Sequence, residues 1–184
     1  MSEVYAFLAE GMEEVECLAA MDVLKRGGVN ITLVSIGEDK AVTGSHGFCV
    51  MADKKLSEVN TEDADVLFLP GGMPGTKNLA ACGKLCDALL KADKAGKRIA
   101  AICAAPSVLG QLGILNGKRA TCYPGFEDKL TGATATGEGV VTDGMITTGR
   151  GLGYALDIGI ELLGILKDRE TALKVKAAIQ YDRP

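Results

Sequence analysis

Short apolar segments alternate with helical patterns along the chain, and this alternation most limits how the chain can fold. The apolar segments are rich in β-branched residues and predict strands at Val4 to Leu8, Ile31 to Ser35, Val66 to Leu69, Ile99 to Ile102 and Met145 to Thr148. Because their apolar character is nearly continuous, we expect both faces of each strand to be covered. The alternation therefore predicts a doubly wound α/β fold, with a parallel sheet and helices on both sides.

Three helical patterns support this fold. Glu14 to Arg26 carries an apolar stripe that ends at two glycines, and Gly83 to Ala95 repeats the same spacing. Glu16 borders the apolar stripe of the first helix, so we expect it to be partly shielded from water. The third pattern, Gly151 to Leu166, is apolar nearly all round, which predicts either deep burial or contact with a partner subunit.

Two stretches depart from this pattern. Glu38 to Met51 and Thr131 to Gly144 are rich in glycine, serine and threonine with alternating residues, and they predict small hairpins added to the parallel core. The chain has no internal repeat, proline-rich linker or charge block. We therefore expect one domain over residues 1–184.

Charge and composition exclude several classes of partner. The chain has 20 Lys+Arg and 24 Asp+Glu, a net charge of −4, and no basic cluster that would grip nucleic acid. No apolar run reaches the roughly 18 residues of a membrane span. The six cysteines are scattered among apolar neighbours, which is typical of reduced thiols. We expect a cytoplasmic protein that binds neither nucleic acid nor membranes.

The most informative motif runs from a predicted strand through Cys103 into a helix. Pro106 suits a first helical turn, which places Cys103 at or just before the helix N-terminus. Backbone N–H groups and the helix dipole are expected to stabilise a thiolate there and lower the pKa of Cys103. The alternative is a small cysteine that is simply buried under the helix.

A glycine-rich turn, Leu69 to Gly75, follows another strand and is expected to reach the same edge of the sheet. It lacks the Gly-Lys-Ser/Thr ending of a phosphate loop, so its N–H groups would instead approach an oxyanion. A tight turn without a ligand explains it equally well. Gly149 to Gly153 partly matches a dinucleotide fingerprint, but Leu156 replaces the last glycine, which argues against nucleotide binding.

The remaining candidates do not predict a metal site. Cys82 and Cys86 fall on an apolar helical stripe, which favours core packing over metal ligation. His46, the single histidine, stands in a glycine-bracketed turn and is expected to be exposed. We predict no metal and no cofactor.

Four segments together carry a family resemblance: Ala9 to Glu16, Leu69 to Gly72, Ala100 to Pro106 and Thr148 to Gly153. In this order and spacing, the chain resembles the ThiJ/PfpI superfamily, and within it the subfamily of the parkinsonism-associated deglycase. The resemblance extends over essentially the whole chain. It implies a flavodoxin-like three-layer sandwich with a mostly parallel sheet, a homodimer, and a cysteine in a strained backbone conformation.

The resemblance also implies roles for individual residues. Cys103 would be the nucleophile, and Glu16 would hydrogen-bond its sulfur while staying at least partly protonated. The N–H groups of Gly72 and Ala104 would form the oxyanion hole. The residues expected to line the pocket or its rim are Glu13, Arg26, His46, Met73, Tyr123 and Leu152.

Two positions depart from the family pattern. Tyr123 stands where close relatives place a histidine beside the cysteine, and His46 stands where they often carry an arginine. A Cys-His dyad at the usual position is therefore absent, which argues against protease-like activity and leaves Glu16 as the main acid/base candidate.

Three hypotheses for function follow. The leading one is a cofactor-free cysteine enzyme that acts on small reactive carbonyls or their adducts, of the glyoxalase or deglycase type, in stress protection. The alternative is a non-enzymatic redox sensor or stress-response protein that works through oxidation of Cys103. The third is a degenerate family member with neither role.

Overall fold

The computed structural model describes residues 2–183. Within that range the strands are β1 (Glu3–Leu8), β2 (Asn30–Ser35), β3 (Ala41–Thr43), β4 (Cys49–Met51), β5 (Lys54–Lys55), β6 (Val66–Leu69), β7 (Arg98–Ile102), β8 (Arg119–Ala120), β9 (Thr134–Ala135), β10 (Val140–Asp143) and β11 (Ile146–Gly149). The α-helices there are α1 (Glu14–Arg26), α2 (Gly75–Ala81), α3 (Gly83–Lys94), α4 (Pro106–Gln111), α5 (Ala155–Leu166) and α6 (Arg169–Ala178).

Seven strands form the main sheet, in the order β10-β11-β7-β6-β1-β2-β5. Every neighbouring pair is parallel except β10 with β11. The five predicted strands form the consecutive centre of this sheet, so the prediction of a mostly parallel sheet is confirmed. The central order β2-β1-β6-β7-β11 is the doubly wound order of flavodoxin-like folds.

The sheet is covered on both faces, as its apolar strands require. In β1, Val4, Ala6 and Leu8 belong to one hydrophobic cluster, while Tyr5 and Phe7 belong to the other. Successive side chains of a strand point to opposite faces, so one run of apolar residues serves both clusters. Helices α1, α5 and α6 cover the first face, and α3 and α4 cover the second. The predicted three-layer sandwich is confirmed.

The apolar helix α5 is buried within the chain, between the sheet and two other helices. It packs against α1 and α6, and its Ile158 and Leu162 are fully buried. Burial within the fold therefore accounts for part of its apolar surface, while Ile165 is 37% exposed and contact with a partner subunit stays a prediction. The helix begins at Ala155 rather than at Gly151, because Leu152–Tyr154 form a separate 3₁₀ turn.

The two predicted hairpins have different outcomes. Strands β3 and β4 form an antiparallel hairpin inside Glu38 to Met51, as expected. The stretch from Thr131 to Gly144 does not form one by itself: β9 pairs in parallel with β8, and β10 turns at Gly144 to pair with β11. Strand β10 therefore extends the edge of the main sheet, while β9 forms a separate two-stranded sheet with β8.

In the part of the chain that the structure describes, no helix is long and apolar enough to cross a membrane.

Candidate active site

Cys103 occupies a strained turn between β7 and α4. Its φ of 64° is left-handed, and Gln180 is the one other non-glycine residue with a positive φ within residues 2–183. Such a conformation costs on the order of 1 kcal/mol or more, and it persists only where the surrounding structure enforces it. Here the Cys103 N–H donates to the Gly149 carbonyl at 2.9 Å, and the Cys103 carbonyl accepts from the Tyr123 N–H at 2.8 Å. The predicted strand-to-helix elbow is present.

Glu16 approaches Cys103 from α1. Its side chain is buried, at 1% exposure, more deeply than its predicted place at the margin of the apolar stripe. The Glu16 Oε2 accepts from the Gly71 N–H at 3.0 Å, and the carboxyl also contacts the Cys103 thiol and the Leu152 N–H. Burial and, less strongly, the nearby Glu13 carboxylate raise the pKa of Glu16 to about 7, against these hydrogen bonds, which lower it.

The pKa of Cys103 moves in the direction opposite to the prediction. Burial and the charge of the Glu16 carboxylate raise it to about 12, against the N–H groups of Gly72 and Ala104, which lower it. The prediction of a lowered pKa is wrong because α4 has only six residues and the thiol is half-buried beside a carboxyl. A neutral Glu16 removes the charge that opposes a thiolate at Cys103, while burial, the largest cause of the raised pKa, still opposes it.

The N–H groups of Gly72 and Ala104 hydrogen-bond the Cys103 sulfur, and their role as an oxyanion hole stays a prediction. Gly72 has a φ of 86°, and a Cβ there would overlap the backbone of Glu13. Glycine at position 72 is thus required both for the conformation and for the close approach of α1.

His46 and two glutamates form the rim beside α1. The His46 Nδ1 lies 3.7 Å from the Glu13 Oε1 and 3.6 Å from the Glu14 Oε2, while the His46 side chain is 65% exposed, as expected for its turn. Glu13 also caps α1, because its carboxylate accepts from the Glu16 N–H. His46 therefore reaches the site through Glu13, and no hydrogen bond within residues 2–183 joins it to Cys103.

The same three side chains form the one group among residues 2–183 whose ligand atoms are spaced as a metal ion would need, within 4.8 Å of one another. The Glu13 Oε2 already accepts from the Glu16 N–H, and the Glu14 Oε1 accepts from the His46 N–H. Burial favours a neutral Glu14, but hydrogen bonds from the N–H groups of Glu14, His46 and Phe48 outweigh it and lower the pKa of the carboxyl. The cluster is thus satisfied as a hydrogen-bonded rim.

Three other predicted pocket residues, Tyr123, Met73 and Leu152, belong to the segments around Cys103 and Glu16. Tyr123 is tied to Cys103 through its N–H, and its exposed ring packs edge-on against Phe126. Met73 follows Gly72 and is partly exposed, and Leu152 presents its N–H to Glu16.

Arg26 differs from these residues. It pairs with Asp22 at 2.6 Å on the exposed end of α1, and no hydrogen bond or ion pair in the described chain links it to the surroundings of Cys103. The structure does not bring Arg26 into the site within one chain.

Sequence reasoning missed Glu14 and the N–H groups of Gly71 and Leu152. Glu14 is 3% exposed and fixes the hairpin turn, since its carboxylate accepts from the His46 N–H at 3.2 Å. A Cβ at Gly44 would overlap the Glu14 carboxylate. Gly44, just before Ser45 and His46, is the one sequence signal of this contact. It could be interpreted only if the turn were already known to lie against α1.

All six cysteines are free. Cys17 is buried, and burial raises the pKa of its thiol to about 12. Cys82 and Cys86 are half-buried at the start of α3 rather than packed in the core, so the prediction of core packing is only partly correct. The pKa of Cys86 is raised, first by burial.

Comparison with known proteins supports the resemblance. The DJ-1/PfpI family matches residues 2–164. DJ-1 homolog B of Arabidopsis thaliana is 38% identical over 94% of this chain and 40% of its own length, and dj-1beta of Drosophila melanogaster is 37% identical over 90% and 91%. A glutathione-independent glyoxalase of Caenorhabditis elegans is 32% identical over 88% of this chain and 86% of its own.

Solved structures support the same family. Oxidized DJ-1 of Toxoplasma gondii has a TM-score of 0.95 with 33% identity, and each chain is covered completely. The chain spans less than half the length of the Arabidopsis relatives that it matches, 40% and 45%. From the family match and the relatives of similar length, the chain belongs to the DJ-1/PfpI family.

Proposed function

We propose that this protein is a cysteine-dependent enzyme that acts on small reactive carbonyls or their adducts, of the glyoxalase or deglycase type, without a cofactor. Its role would be protection of the cell against such compounds. The single observation that supports this most is the contact between the Glu16 carboxyl and the Cys103 thiol. Cys103 would act as the nucleophile, and Glu16 would give and take a proton beside it.

The first step with methylglyoxal as substrate is addition of the sulfur to the aldehyde. Cys103 would react through a small thiolate fraction, which is larger when Glu16 is neutral because the carboxylate charge that opposes ionisation of the thiol is then absent. A C–S bond forms as the carbonyl π electrons move to oxygen. The N–H groups of Gly72 and Ala104 stabilise the resulting alkoxide, and Glu16 donates its proton to give a hemithioacetal.

The second step moves a proton from carbon to carbon. The Glu16 carboxylate removes the proton from the former aldehyde carbon, an enediol forms, and the proton returns to the neighbouring carbon. The product is a thioester of lactate on Cys103. Water then cleaves the thioester, so that one methylglyoxal and one water give lactate and one proton. The aldehyde carbon is oxidised to the level of a carboxylate while the ketone carbon is reduced to an alcohol, so no external oxidant is needed.

The decisive test is direct detection of lactate from purified protein and methylglyoxal by NMR. Loss of substrate alone is a poor readout, because buffers and amines also consume methylglyoxal. We expect turnover with the wild type and none with Cys103→Ser. Cys49→Ser, at an exposed cysteine outside the site, is the matched control and should keep full activity. Equal lactate formation by the wild type and Cys103→Ser would refute the proposal.

One observation favours a second candidate, a redox sensor. The related Toxoplasma gondii protein was solved in an oxidized form. Two equivalents of hydrogen peroxide would convert the Cys103 thiolate to a sulfinate with release of two waters. Neutral Glu16 and the N–H groups of Gly72 and Ala104 would hydrogen-bond the sulfinate oxygens.

Mass spectrometry after mild peroxide treatment tests this candidate. Two added oxygens should accumulate at Cys103 in the wild type and less in Glu16→Leu, which cannot donate a hydrogen bond. A sensor without catalysis would show this oxidation and form no lactate. Either role needs a reduced thiol, and the six free cysteines are consistent with our proposal of a cytoplasmic protein.

A further inference from the structure

The 3₁₀ turn Leu152–Tyr154 links β11 to α5 and borders the candidate active site on two sides. Just before the turn, the Gly149 carbonyl accepts from the Cys103 N–H at 2.9 Å. Within the turn, the Leu152 N–H faces the Glu16 carboxyl. The position of this turn therefore affects both of the residues to which we assign the chemistry.

The turn itself has few restraints. The Tyr154 N–H closes it by donating to the Gly151 carbonyl at 2.8 Å, but Leu152 and Gly153 are exposed. Glycine also gives the backbone at position 153 more conformational freedom than other residues would. Among residues 2–183, no side chain caps the N-terminus of α5. The turn thus depends on contacts from another part of the chain.

Arg183, which follows α6, supplies these contacts. Its Nη1 donates to the Gly153 carbonyl at 2.9 Å and to the Asp157 Oδ2 at 3.1 Å. Its guanidinium lies 4.7 Å from the centre of the Tyr154 ring, within the range of a cation–π interaction. Exposed ion pairs contribute little by themselves, so the contacts with the backbone carbonyl and the ring matter most. One side chain thus joins the turn to the start of α5.

Arg183 is held in turn by a second residue that follows α6. The Tyr181 hydroxyl donates to the Asp157 Oδ2 at 2.7 Å, the same oxygen that Arg183 contacts. Burial and this hydrogen bond raise the pKa of Tyr181 to about 12, so its hydroxyl keeps its proton near neutral pH. The guanidinium of Arg183 is charged there as well. The arrangement therefore persists over the pH range in which Glu16 ionises.

We propose that Arg183 is a positioning residue of the candidate active site, which fixes the Leu152–Tyr154 turn so that the Leu152 N–H stays against the Glu16 carboxyl. Without Arg183 the turn would move more freely, and this N–H would leave the carboxyl for part of the time. A hydrogen bond to a carboxylate favours its charged form, so Glu16 would then ionise less readily. The hydrogen bond from the Gly71 N–H would remain and keep Glu16 beside Cys103.

The test measures the ionisation of Glu16 without any substrate. The full chain, kept reduced and labelled with ¹³C in its glutamate side chains, is titrated by NMR, and Glu16→Gln identifies the Glu16 signal. In Arg183→Ala the pKa of Glu16 should be higher than in the wild type by about 0.5 to 1, the effect of losing one hydrogen bond to the charged form.

Three further variants assign this change to the contacts of Arg183. Arg183→Lys should keep most of the wild-type value, because a single nitrogen makes both polar contacts and an ammonium group can replace it. Tyr181→Phe keeps the ring but loses the bond to Asp157, so it should raise the pKa of Glu16 by a smaller amount. Arg169→Ala, at an exposed arginine that begins α6, is the matched control and should leave the pKa unchanged.

An unchanged pKa of Glu16 in Arg183→Ala, or an equal rise in Arg169→Ala, would overturn the proposal. Its consequence for catalysis rests on the proposed function: in Arg183→Ala, the pH at which kcat/KM levels off should rise together with the pKa of Glu16. A wild type that forms no lactate would refute the proposed function, and the NMR titration would still decide whether Arg183 positions the turn.

Discussion

The Glu16 carboxyl and the Cys103 side chain meet across a space that only glycine at position 71 leaves open. A Cβ on Gly71 would lie 2.6 Å from the Cys103 Cβ and 2.7 Å from the Glu16 Oε2. The Gly71 N–H also donates to that oxygen at 3.0 Å. One glycine of the Leu69 to Gly75 turn thus holds the two reactive groups together, by its size and by its hydrogen bond.

Gly71→Ala is therefore expected to separate Glu16 from Cys103. The added methyl group has no space, because Cys103 is fixed by backbone hydrogen bonds on both sides. We expect lactate formation to fall on the order of 10²-fold, the range for losing a general acid/base. Steady-state assays measure the effect. Gly83→Ala, where a Cβ meets nothing within 4 Å, is the control; a similar loss in both variants would contradict the prediction.

The burial of Glu16 predicts how stability depends on pH. Below about pH 4.5 the carboxyl is neutral in the folded and unfolded chains alike. As the pH rises, the unfolded chain loses this proton first, because the folded pKa is raised from 4.5 to about 7. The free energy of unfolding should therefore fall across this window by about 3 kcal/mol, since one pKa unit corresponds to about 1.4 kcal/mol.

Urea unfolding at pH 4.5, 6 and 8 measures this decline. It should be absent in Glu16→Gln, which cannot ionise, and retained in Glu38→Gln, at an exposed position. A parallel decline in all three proteins would assign the pH dependence to other groups.

Much of this architecture could be predicted from the sequence. Strand ends were placed within a residue, because a strand buried on both faces is a continuous apolar run. The helix Glu14–Arg26 matched fully, since its apolar stripe ends at two glycines. The elbow at Cys103 was predictable because a strand, a cysteine and Pro106 follow one another directly along the chain.

What could not be predicted depends on contacts between distant residues. The raised pKa of Cys103 comes from a carboxyl on α1, and the Gly71 bond to Glu16 spans 55 positions. No local pattern reports which side chains such contacts bring together.

We expect the protein to be a homodimer. The reason is a group of exposed apolar side chains rather than the apolar helix α5. Val15 and Leu18 are exposed on α1, and Phe48 and Met51 are 69% and 64% exposed on the β3–β4 hairpin. The bond from the His46 N–H to Glu14 places that hairpin beside α1. An exposed group of large apolar side chains is typical of an interaction surface.

Light scattering should therefore give twice the mass of the 19.1 kDa chain at micromolar concentration. Leu18→Asp should shift the protein toward monomer, because it places a charge in the proposed contact. Leu173→Asp changes a similarly exposed leucine on α6 and should leave the mass unchanged. A wild-type mass of one chain would refute the prediction.

Glu16, and not His46, is expected to govern the chemistry. His46 has the side chain whose ordinary pKa lies nearest neutrality, so a search for Cys-His pairs would select it. Its imidazole, however, is largely exposed and reaches the site only through Glu13, at 3.7 Å. Glu16 contacts the sulfur and has a pKa of about 7. Glu16→Gln should lower turnover on the order of 10²-fold, and His46→Gln only a few-fold.

The pH profile separates these two residues further. The reacting form of the pair, with a thiolate on Cys103 and the proton on Glu16, holds one proton in all, so kcat/KM of the wild type should rise with pH up to about 7 and then level off. His46→Gln should keep the change of slope near pH 7, whereas the residual activity of Glu16→Gln should continue to rise through that pH. If His46→Gln abolishes turnover while Glu16→Gln stays near the wild type, the proton transfer proposed for Glu16 is wrong, and His46 acting through Glu13 would have to replace it.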